Sequence, residues 1–303
     1  MQVGLIGLGR MGFNLAQNMI DHGHQVVAYN RSPDKTKAAQ REGINGVYAL
    51  EGLVEKLTPP RVVWLMLPAG DPVESMLGKL IPLLVTGDTV IDGGNSHYQD
   101  SIRHYQALTA KGINFADVGT SGGLAGARHG ICAMVGAEDR VFKQLEPLIA
   151  SISVPEGYIH TGPPGSGHFV KMVHNGIEYG MLQAIGEGFE VLARGPFPFN
   201  LQAIAQVFNH GSVIRSWLMH LLEQVLKDGS QLATIKPIVH SSGEGMWMVQ
   251  TALRLGIPTP VIAASVFARY QTENQDQFAA KVVAALRHQF GGHNVETTVP
   301  ERG

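Results

Sequence analysis

The fold is decided by residues 2–12, Gln2-Val3-Gly4-Leu5-Ile6-Gly7-Leu8-Gly9-Arg10-Met11-Gly12. An apolar run typical of a β-strand leads directly into G-x-G-x-x-G, and the pattern predicts a helix over residues 13–22. In this setting the first glycine permits a tight turn, the second lets a pyrophosphate approach the backbone, and the third lets helix and strand pack closely. The helix N-terminus then faces the phosphates. The sequence therefore predicts a dinucleotide-binding Rossmann unit, against the alternative of an ordinary glycine-rich turn.

The second predicted strand, residues 25–29, ends at Asn30-Arg31-Ser32. NAD enzymes commonly carry an acidic residue here that binds the ribose 2′-hydroxyl, and this strand end has none. The planar guanidinium of Arg31 suits a phosphate group in both charge and shape. We therefore predict NADP as the cofactor. In the alternative, Arg31 stacks on the adenine and either NADP or NAD can bind.

Predicted strands and helices continue to alternate along the first half of the chain. We expect strands at residues 61–67, 88–92, 114–119 and 131–135, with helices near Asp71 and over 137–149. This alternation is typical of a doubly wound α/β sheet, which binds ligands at the carboxyl ends of its strands. Three of those ends carry Pro68-Ala69-Gly70, Gly93-Gly94-Asn95-Ser96 and Thr120-Ser121-Gly122-Gly123.

A Gly/Pro-rich turn at residues 162–165 precedes a long proline-free run, which predicts a long helix. Lys171, His174, Asn175 and Glu178 stand at i, i+3, i+4 and i+7, so they share one helix face, with Tyr179 at its edge. One interpretation is a solvated face with a single Lys/Glu pair. Glycines within the same helix cost helix propensity and favour close approach by another element or a ligand. We therefore predict a functional face.

The sequence pattern of the second half of the chain predicts helices and no strands. Helical segments are expected at residues 201–209, 212–226, 243–255, 259–271 and 277–290, separated by turns rich in Gly and Pro. We therefore predict a Rossmann domain at 1–164 and an all-α substrate and dimerisation domain at 165–290. An extended tail at 291–303 is expected to be disordered unless it docks on another surface.

Composition indicates an ordinary globular protein. Of the 303 residues 44% are hydrophobic and 16% charged, and a net charge of −2 provides no general attraction to nucleic acid or anionic lipid. The single cysteine, Cys132, excludes an intramolecular disulfide, which fits a reducing compartment. We find no signal peptide and no apolar run of membrane-spanning length. These features predict a cytoplasmic protein with neither nucleic acid nor membrane as a partner.

Several of these motifs together resemble the 6-phosphogluconate dehydrogenases of the β-hydroxyacid dehydrogenase superfamily. The matching stretches are residues 7–14, 91–96, 121–123, 167–179, 267–269 and 287–293. Residues 167–179 are the most specific match, and the resemblance covers essentially the whole chain. The better-known members are far longer, so this chain resembles the short form, with an abbreviated helical domain.

The resemblance implies oxidative decarboxylation of 6-phospho-D-gluconate to D-ribulose 5-phosphate and CO2 with reduction of NADP or NAD, in the pentose phosphate pathway or in gluconate utilisation. Lys171 matches the family's general base, whose pKa must fall well below the reference value of lysine. Glu178 matches the acid that protonates C1 of the enediol. The resemblance implies no metal, because the Lys171 ammonium stabilises the developing enolate.

The resemblance also implies the binding residues. Substrate carboxylate and hydroxyls would be held by Asn95, Ser121, Gly122, Gly123, His174 and Asn175, and the phosphate by Tyr179, Arg269, Arg287 and His293. The cofactor would be held by Gly7, Leu8, Gly9, Arg10, Met11, Gly12, Asn30, Arg31, Ser32, Leu67, Pro68 and Asn95. In the family the tail reaches into the partner subunit's site. We therefore expect a homodimer with a shared active site, with a tetramer as a larger alternative.

Four positions depart from the pattern of the longer relatives. Pro68 stands where they carry a lysine after the Rossmann strand. Leu124 and Ala125 stand where they carry acidic residues, and Ser242 stands at the position of a phosphate-binding lysine.

Two other functions stay open at this point. The first is a β-hydroxyacid dehydrogenase that acts on a small unphosphorylated 3-hydroxy acid, which needs Lys171 and Asn175 but neither His174, Glu178 nor the cations near the tail. The second is a non-catalytic NADP-binding regulator, which needs neither a base nor an acid.

Overall fold

The computed structural model describes residues 1–227, 230–274, 277–291, 294 and 296. The chain divides into two compact units, Met1–Asn175 and Gly176–Gly303. The predicted boundary at 164/165 falls at the start of the long helix, whereas the two units divide within that helix. The predicted tail at 291–303 lies almost entirely outside the described residues.

An eight-stranded sheet forms the centre of the first unit. Its strands are β1 (Gln2–Ile6), β2 (Gln25–Tyr29), β3 (Asn45–Val47), β4 (Val62–Leu65), β5 (Thr89–Asp92), β6 (Asn114–Ser121), β7 (Ile131–Ala137) and β8 (Ser153–Gly162). Their order is β3-β2-β1-β4-β5-β6-β7-β8, and all neighbours are parallel except β6 and β7. The chain changes its direction of travel across the sheet between β1 and β4. This is the switch point at which doubly wound sheets bind ligands.

Helices cover both faces of this sheet. They are α1 (Arg10–Asp21), α2 (Pro33–Arg41), α3 (Leu50–Glu55), α4 (Asp71–Leu80), α5 (Tyr98–Thr109), α6 (Gly123–His129) and α7 (Asp139–Ile152). Val3 and Leu5 of β1 belong to one apolar cluster and Ile6 to a second, since successive side chains point to opposite faces. Every residue of β4 is buried, so this strand reads as an unbroken apolar run in the sequence.

Helices are the regular secondary structure of the second unit in its described residues. The long helix α8 (Ser166–Arg194) continues into it from the first unit, and α9 (Leu201–Asn209), α10 (Trp217–Lys227), α11 (Ser230–Thr234), α12 (Glu244–Leu255), α13 (Pro260–Glu273) and α14 (Phe278–Gly291) follow. The predicted fold class, a Rossmann sheet followed by an all-α domain, is confirmed. None of the helices in the described part of the chain is long and apolar enough to cross a membrane.

Candidate active site

The glycine loop, residues 7–12, joins β1 to α1 at the switch point of the sheet. Gly7 has φ of +105°, and a Cβ at Gly12 would overlap the carbonyl oxygen of Gly7. Gly9 differs, because a Cβ there would meet open space. The loop is therefore tightly packed at both ends and open at its centre, which suits a backbone that a pyrophosphate approaches.

A groove of about 610 Å3 lies beside the glycine loop. The predicted cofactor residues that line it are Gly7, Gly9, Asn30, Arg31, Ser32, Leu67 and Pro68, whereas Leu8, Arg10, Met11, Gly12 and Asn95 do not. Lys35 and Lys79 also line the groove and were not predicted. Asn30 shapes its wall, because Asn30 Oδ1 accepts from the Leu8 N–H at 2.9 Å and Asn30 Nδ2 donates to Ser32 O at 3.2 Å.

The loop after β5 carries Asn95, and the side chain of Asp92 holds it through hydrogen bonds. Asp92 is fully buried; its Oδ1 accepts from the Gly94 N–H at 3.1 Å and its Oδ2 accepts from Ser96 Oγ at 2.7 Å. An Asx-type contact of this kind shapes the backbone of the turn after the strand. Asp92 therefore determines the course of the loop that presents Asn95.

Five polar side chains meet in the first unit, and we call them the lysine cluster: Lys171, His174, Asn175, Asn95 and Ser121. His174 Nδ1 lies 3.4 Å from Lys171 Nζ and 3.1 Å from Asn175 Oδ1, and His174 Nε2 lies 3.0 Å from Ser121 Oγ. Asn175 Nδ2 donates to Asn95 Oδ1 at 3.3 Å. The cluster joins α8 to the ends of β5 and β6, at the ligand-binding edge of the sheet.

Glycines shape the backbone next to the cluster. Gly122 and Gly123 have φ of +106° and +60°, and Gly122 forms the N-terminal cap of α6. Both are exposed, and they follow directly on Ser121. Their backbone N–H groups lie at the start of a helix, where an anionic group such as a carboxylate is favoured.

Two buried residues that the sequence reasoning missed hold α8 in place. Asp117, in the middle of β6, is fully buried, and its carboxylate accepts from the Gly165 and His168 N–H groups at 2.5 and 2.7 Å. Burial raises the pKa of Asp117, while the His168 charge and the two N–H bonds act in the opposite direction. The His168 ring contacts Ser101 Oγ at 2.7 Å and Gly94 O at 3.1 Å. A carboxylate inside the apolar run Phe115-Ala116-Asp117-Val118 was the available signal, because unpaired carboxylates are rarely buried.

The second unit holds a separate polar group around Tyr179. The Tyr179 hydroxyl lies 3.3 Å from Ser242 Oγ and 3.4 Å from Glu244 Oε2, and the Arg269 guanidinium stacks on the Tyr179 ring at 3.4 Å from its centroid. The structure therefore brings together two of the predicted phosphate residues, Tyr179 and Arg269. It also adds Glu244, a buried carboxylate that the sequence reasoning did not single out.

The other predicted residues of this unit are less informative. Glu178 lies on α8 just before Tyr179 and is partly buried, and Arg287 lies exposed on α14. His293 lies outside the described residues. In the described part of the chain no three His, Cys, Asp or Glu side chains group in a way that could hold a metal ion, and the expectation that no metal takes part stays a prediction.

Comparison with protein families matches nearly the whole chain. Residues 2–162 match the family model described as the NAD binding domain of 6-phosphogluconate dehydrogenase, and residues 167–299 match the model of the 6-phosphogluconate dehydrogenase C-terminal domain.

Individual relatives match over the full length or over part of it. The Bacillus subtilis protein YqeC, which carries a provisional 6-phosphogluconate dehydrogenase name, is 50% identical over 98% of this chain and 99% of its own. The NAD(+)-dependent, decarboxylating 6-phosphogluconate dehydrogenase of Haloferax volcanii is 42% identical over 97% of this chain and 98% of its own. A decarboxylating enzyme of the same name from Bacillus licheniformis is 39% identical over 92% of this chain but 63% of its own. The chain thus has the length of the short relatives.

Solved structures agree in fold. Plasmodium falciparum 6-phosphogluconate dehydrogenase, solved in apo form and with NADP+ or 6-phosphogluconate, superposes with a TM-score of 0.83 at 29% identity, covering 100% of this chain and 67% of that one. A 3-hydroxyisobutyrate dehydrogenase of Salmonella typhimurium, at 21% identity and a TM-score of 0.75 over 93% of this chain and 95% of its own, shares the fold. The chain belongs to the 6-phosphogluconate dehydrogenase family of NAD(P)-dependent oxidoreductases.

Proposed function

We propose that this protein catalyses oxidative decarboxylation of 6-phospho-D-gluconate to D-ribulose 5-phosphate and CO2, with NADP or NAD as the oxidant. The observation that carries the proposal is the lysine cluster, in which a buried amine lies among hydroxyl, imidazole and amide groups at the ligand-binding edge of the sheet. A regulator that only binds a dinucleotide has no use for this cluster. Family membership supports the same assignment.

The groove beside the glycine loop fits a nicotinamide dinucleotide. The open space at Gly9 leaves room for a pyrophosphate against the backbone, and the α1 N-terminus lies beside it. Arg31 and Lys35 are exposed in the groove wall, and Lys79 lines the same groove. Three cations favour the 2′-phosphate of NADP, and NAD is the alternative oxidant. When bound, the dinucleotide accepts the hydride that leaves C3 of the substrate.

Lys171 is suited to accept the proton of the C3 hydroxyl. Because Asn175 Nδ2 donates to Asn95, Asn175 Oδ1 is left to accept from His174 Nδ1, and His174 Nε2 then accepts from Ser121. In this tautomer the Nδ1 proton goes to Asn175 Oδ1, and Lys171 Nζ lies 3.4 Å from the same nitrogen. A general base must lie within hydrogen-bond reach of the proton it takes, and the buried Lys171 amine lies at the ligand-binding edge of the sheet. The cluster therefore supports Lys171 as a general base.

The second half of the reaction breaks a carbon–carbon bond. Loss of hydride and proton leaves a 3-keto acid, whose C1–C2 bond cleaves as its electrons move onto the C3 carbonyl oxygen and CO2 departs. The Lys171 ammonium formed in the first step hydrogen-bonds that oxygen and stabilises the developing enolate. Glu178, further along α8, is proposed to protonate the carbon that has lost CO2, which becomes C1 of the product.

The substrate phosphate is proposed to bind at Tyr179, Arg269, Arg287 and His293. The Arg269 guanidinium, held against the Tyr179 ring, is the described cation of this set that packs beside Tyr179. Ser242 and Glu244 make this group less cationic than a dedicated phosphate site, because Glu244 is a buried carboxylate that contacts the Tyr179 hydroxyl. That observation favours the second candidate function, oxidation of a small unphosphorylated 3-hydroxy acid.

We also propose the cytoplasm as the location and a homodimer as the working form, with Arg287, His293 and the tail completing the partner subunit's site. A tetramer would be a pair of such dimers. Many apolar side chains of the second unit are exposed, including Phe197, Trp217 and Phe267, which supports association between copies.

One assay tests the proposed function. The purified protein is mixed with 6-phosphogluconate and either NADP or NAD, and reduced cofactor and released CO2 are followed together. Equal amounts of both are expected, at a rate that unphosphorylated gluconate or 3-hydroxyisobutyrate does not reach. Reduced cofactor without CO2, or a preference for an unphosphorylated acid, would favour the second candidate. Absence of both signals with every acid would leave a binding protein.

A further inference from the structure

We propose that Asp117 is a positioning residue for the reaction, because it locks α8 onto β6 and so sets the place of the Lys171 amine. The proposal rests on the proposed function in that Lys171 is the base there. Asp117 itself is buried beneath the helix and has no part in binding or chemistry. It acts through the backbone of the helix that carries the lysine.

The first step is how α8 begins. The first N–H groups of a helix have no partner within it and are normally capped by a nearby Ser, Thr, Asp or Asn. In α8 the local hydroxyl, Ser166 Oγ, contacts Thr161 Oγ1 at 2.7 Å. The Asp117 carboxylate accepts instead, from the Gly165 N–H at 2.5 Å and from the His168 N–H at 2.7 Å. A carboxylate there also faces the positive end of the helix dipole.

The second step is the register between strand and helix. Every second residue of a strand faces the same side of the sheet, and in β6 this set includes Asp117, Gly119 and Ser121. Each contacts a successive part of α8: Asp117 holds the first turn, Gly119 lies against the Cβ of Lys171, and Ser121 reaches His174 Nε2 at 3.0 Å. A Cβ at Gly119 would overlap the Lys171 side chain. A slip of the helix by one residue would therefore break all three contacts.

The third step links this lock to the loop after β5. His168, whose N–H is held by Asp117, reaches Gly94 O with its ring at 3.1 Å and Ser101 Oγ at 2.7 Å. Gly94 precedes Asn95, which accepts from Asn175 on α8 at 3.3 Å. The first turn of α8 thus contacts the loop that presents Asn95 to the lysine cluster. Loss of the Asp117 carboxylate should loosen the cluster as a whole.

The test compares Asp117→Asn with a matched control, Asp88→Asn. Asp88 is also fully buried and also accepts from two backbone N–H groups, of Arg61 at 2.7 Å and Val85 at 3.0 Å, but it lies at the amino end of β5. Each substitution turns an NH2 group toward a backbone donor, so both variants should lose thermal stability. Only Asp117→Asn should lower kcat per folded molecule, by about 100-fold, with dinucleotide affinity near wild type.

Two measurements do not depend on turnover. Hydrogen exchange should quicken in the peptide spanning residues 165–175 of Asp117→Asn, and Lys171, which is 8% exposed in the wild type, should react faster with an amine-acylating reagent followed by mass spectrometry. Neither should change in Asp88→Asn. If the wild type fails to turn over 6-phosphogluconate, the proposed function fails, and these two comparisons still decide whether Asp117 positions Lys171.

A second variant covers the case in which Asp117→Asn does not fold. Gly119→Ala adds a methyl group against Lys171 at the next contact along the same face, without exposing a buried polar group. We expect its kcat to fall while dinucleotide affinity is kept. The proposal is overturned if either folded variant keeps wild-type kcat and Lys171 reactivity, or if Asp88→Asn loses kcat to the same extent as Asp117→Asn.

Discussion

The glycine loop and the lysine cluster are organised in opposite ways. The loop is shaped mostly over a short range: Gly7, Gly9 and Gly12 lie within six consecutive residues, Gly12 packs on Gly7, and the Leu8 N–H donates to Asn30 22 residues away. The cluster is shaped from a distance: Ser121 and His174 are 53 residues apart in sequence, and Asn95 and Asn175 are 80 apart. We therefore expect the glycine loop to tolerate changes elsewhere in the sheet, whereas the lysine cluster depends on how sheet and helix pack.

The largest expected effect comes from removing the amine at the centre of the cluster. Lys171→Ala should lower kcat by about 10³- to 10⁴-fold, because the proposed mechanism uses this amine both as the base and as the group that stabilises the enolate. The dissociation constant of NADPH, measured by its fluorescence, should stay close to wild type because the groove is built by other residues. Loss of cofactor binding would instead show that the two regions are not independent.

A change in the glycine loop should have the opposite signature. Gly9 has φ of −68° and a Cβ there meets nothing within 4 Å, so Gly9→Ala should keep the melting temperature. Its methyl group would occupy the space needed by the pyrophosphate, and the KM for NADP should rise by about tenfold or more. Gly12→Ala is the matched control, and it should lower the melting temperature because its Cβ overlaps Gly7 O. Equal behaviour of the two variants would contradict this division of roles.

Removing one hydroxyl from the cluster should have a smaller effect. Ser121→Ala deletes the group that donates to His174 Nε2 at 3.0 Å, so the imidazole is held by one contact fewer. We expect kcat/KM for 6-phosphogluconate to fall by about two- to tenfold, in line with loss of a single hydrogen bond of about 0.5–1.5 kcal/mol. Dinucleotide affinity should not change. Ser32→Ala, in the groove wall, should instead weaken dinucleotide binding and leave kcat/KM for 6-phosphogluconate unchanged. An effect of Ser121→Ala on cofactor binding would show that the two regions are not independent.

The smallest effect is expected outside both regions, where Glu74 on α4 contacts the buried His104 of α5 at 2.8 Å. The hydrogen bond from His104 holds the pKa of Glu74 below its usual range. A carboxylate with a lowered pKa stabilises the fold above its unfolded-state pKa, and this contribution is lost as pH falls through the folded-state pKa. Glu74→Gln should therefore be slightly less stable than wild type at neutral pH, and the difference should vanish in acid.

Glu51→Gln on α3 serves as the control for the pH series, because Glu51 is an exposed carboxylate of the same unit. Its melting temperature should follow that of the wild type across the pH range. A stability difference in Glu74→Gln that persists or grows in acid would contradict the assigned role of the His104 bond.

Much of the fold could be predicted because it depends on short-range patterns. The strands of the sheet interior are buried on both faces and stand out as apolar runs, as in Val62-Val63-Trp64-Leu65. Strand β3 was missed because it has three residues with a glycine at the centre, and pairing with β2 alone makes it a strand. Helix α11 was missed for the same reason of length, since it spans five residues.

The candidate site could be predicted in its members but not in its supports. Lys171, His174 and Asn175 are visible in the sequence because helical spacing places them on one face. Lys35, Lys79 and Glu244 were not singled out, because each is an ordinary charged residue on a helix until the fold shows which groove or side chain it adjoins. The roles of the individual site residues stay predictions, and the variants described above test them.

By itself the sequence determined the dinucleotide loop, the alternation that builds the sheet and the polar face of the long helix, because each depends on residues within a few positions of one another. Tertiary structure alone decided that Asp117 caps α8 across 48 and 51 residues, that Gly119 makes room for Lys171, and that Asp92 shapes the loop of Asn95. The physical reason is that these contacts follow from the order of strands in the sheet. No local period in the chain carries that order.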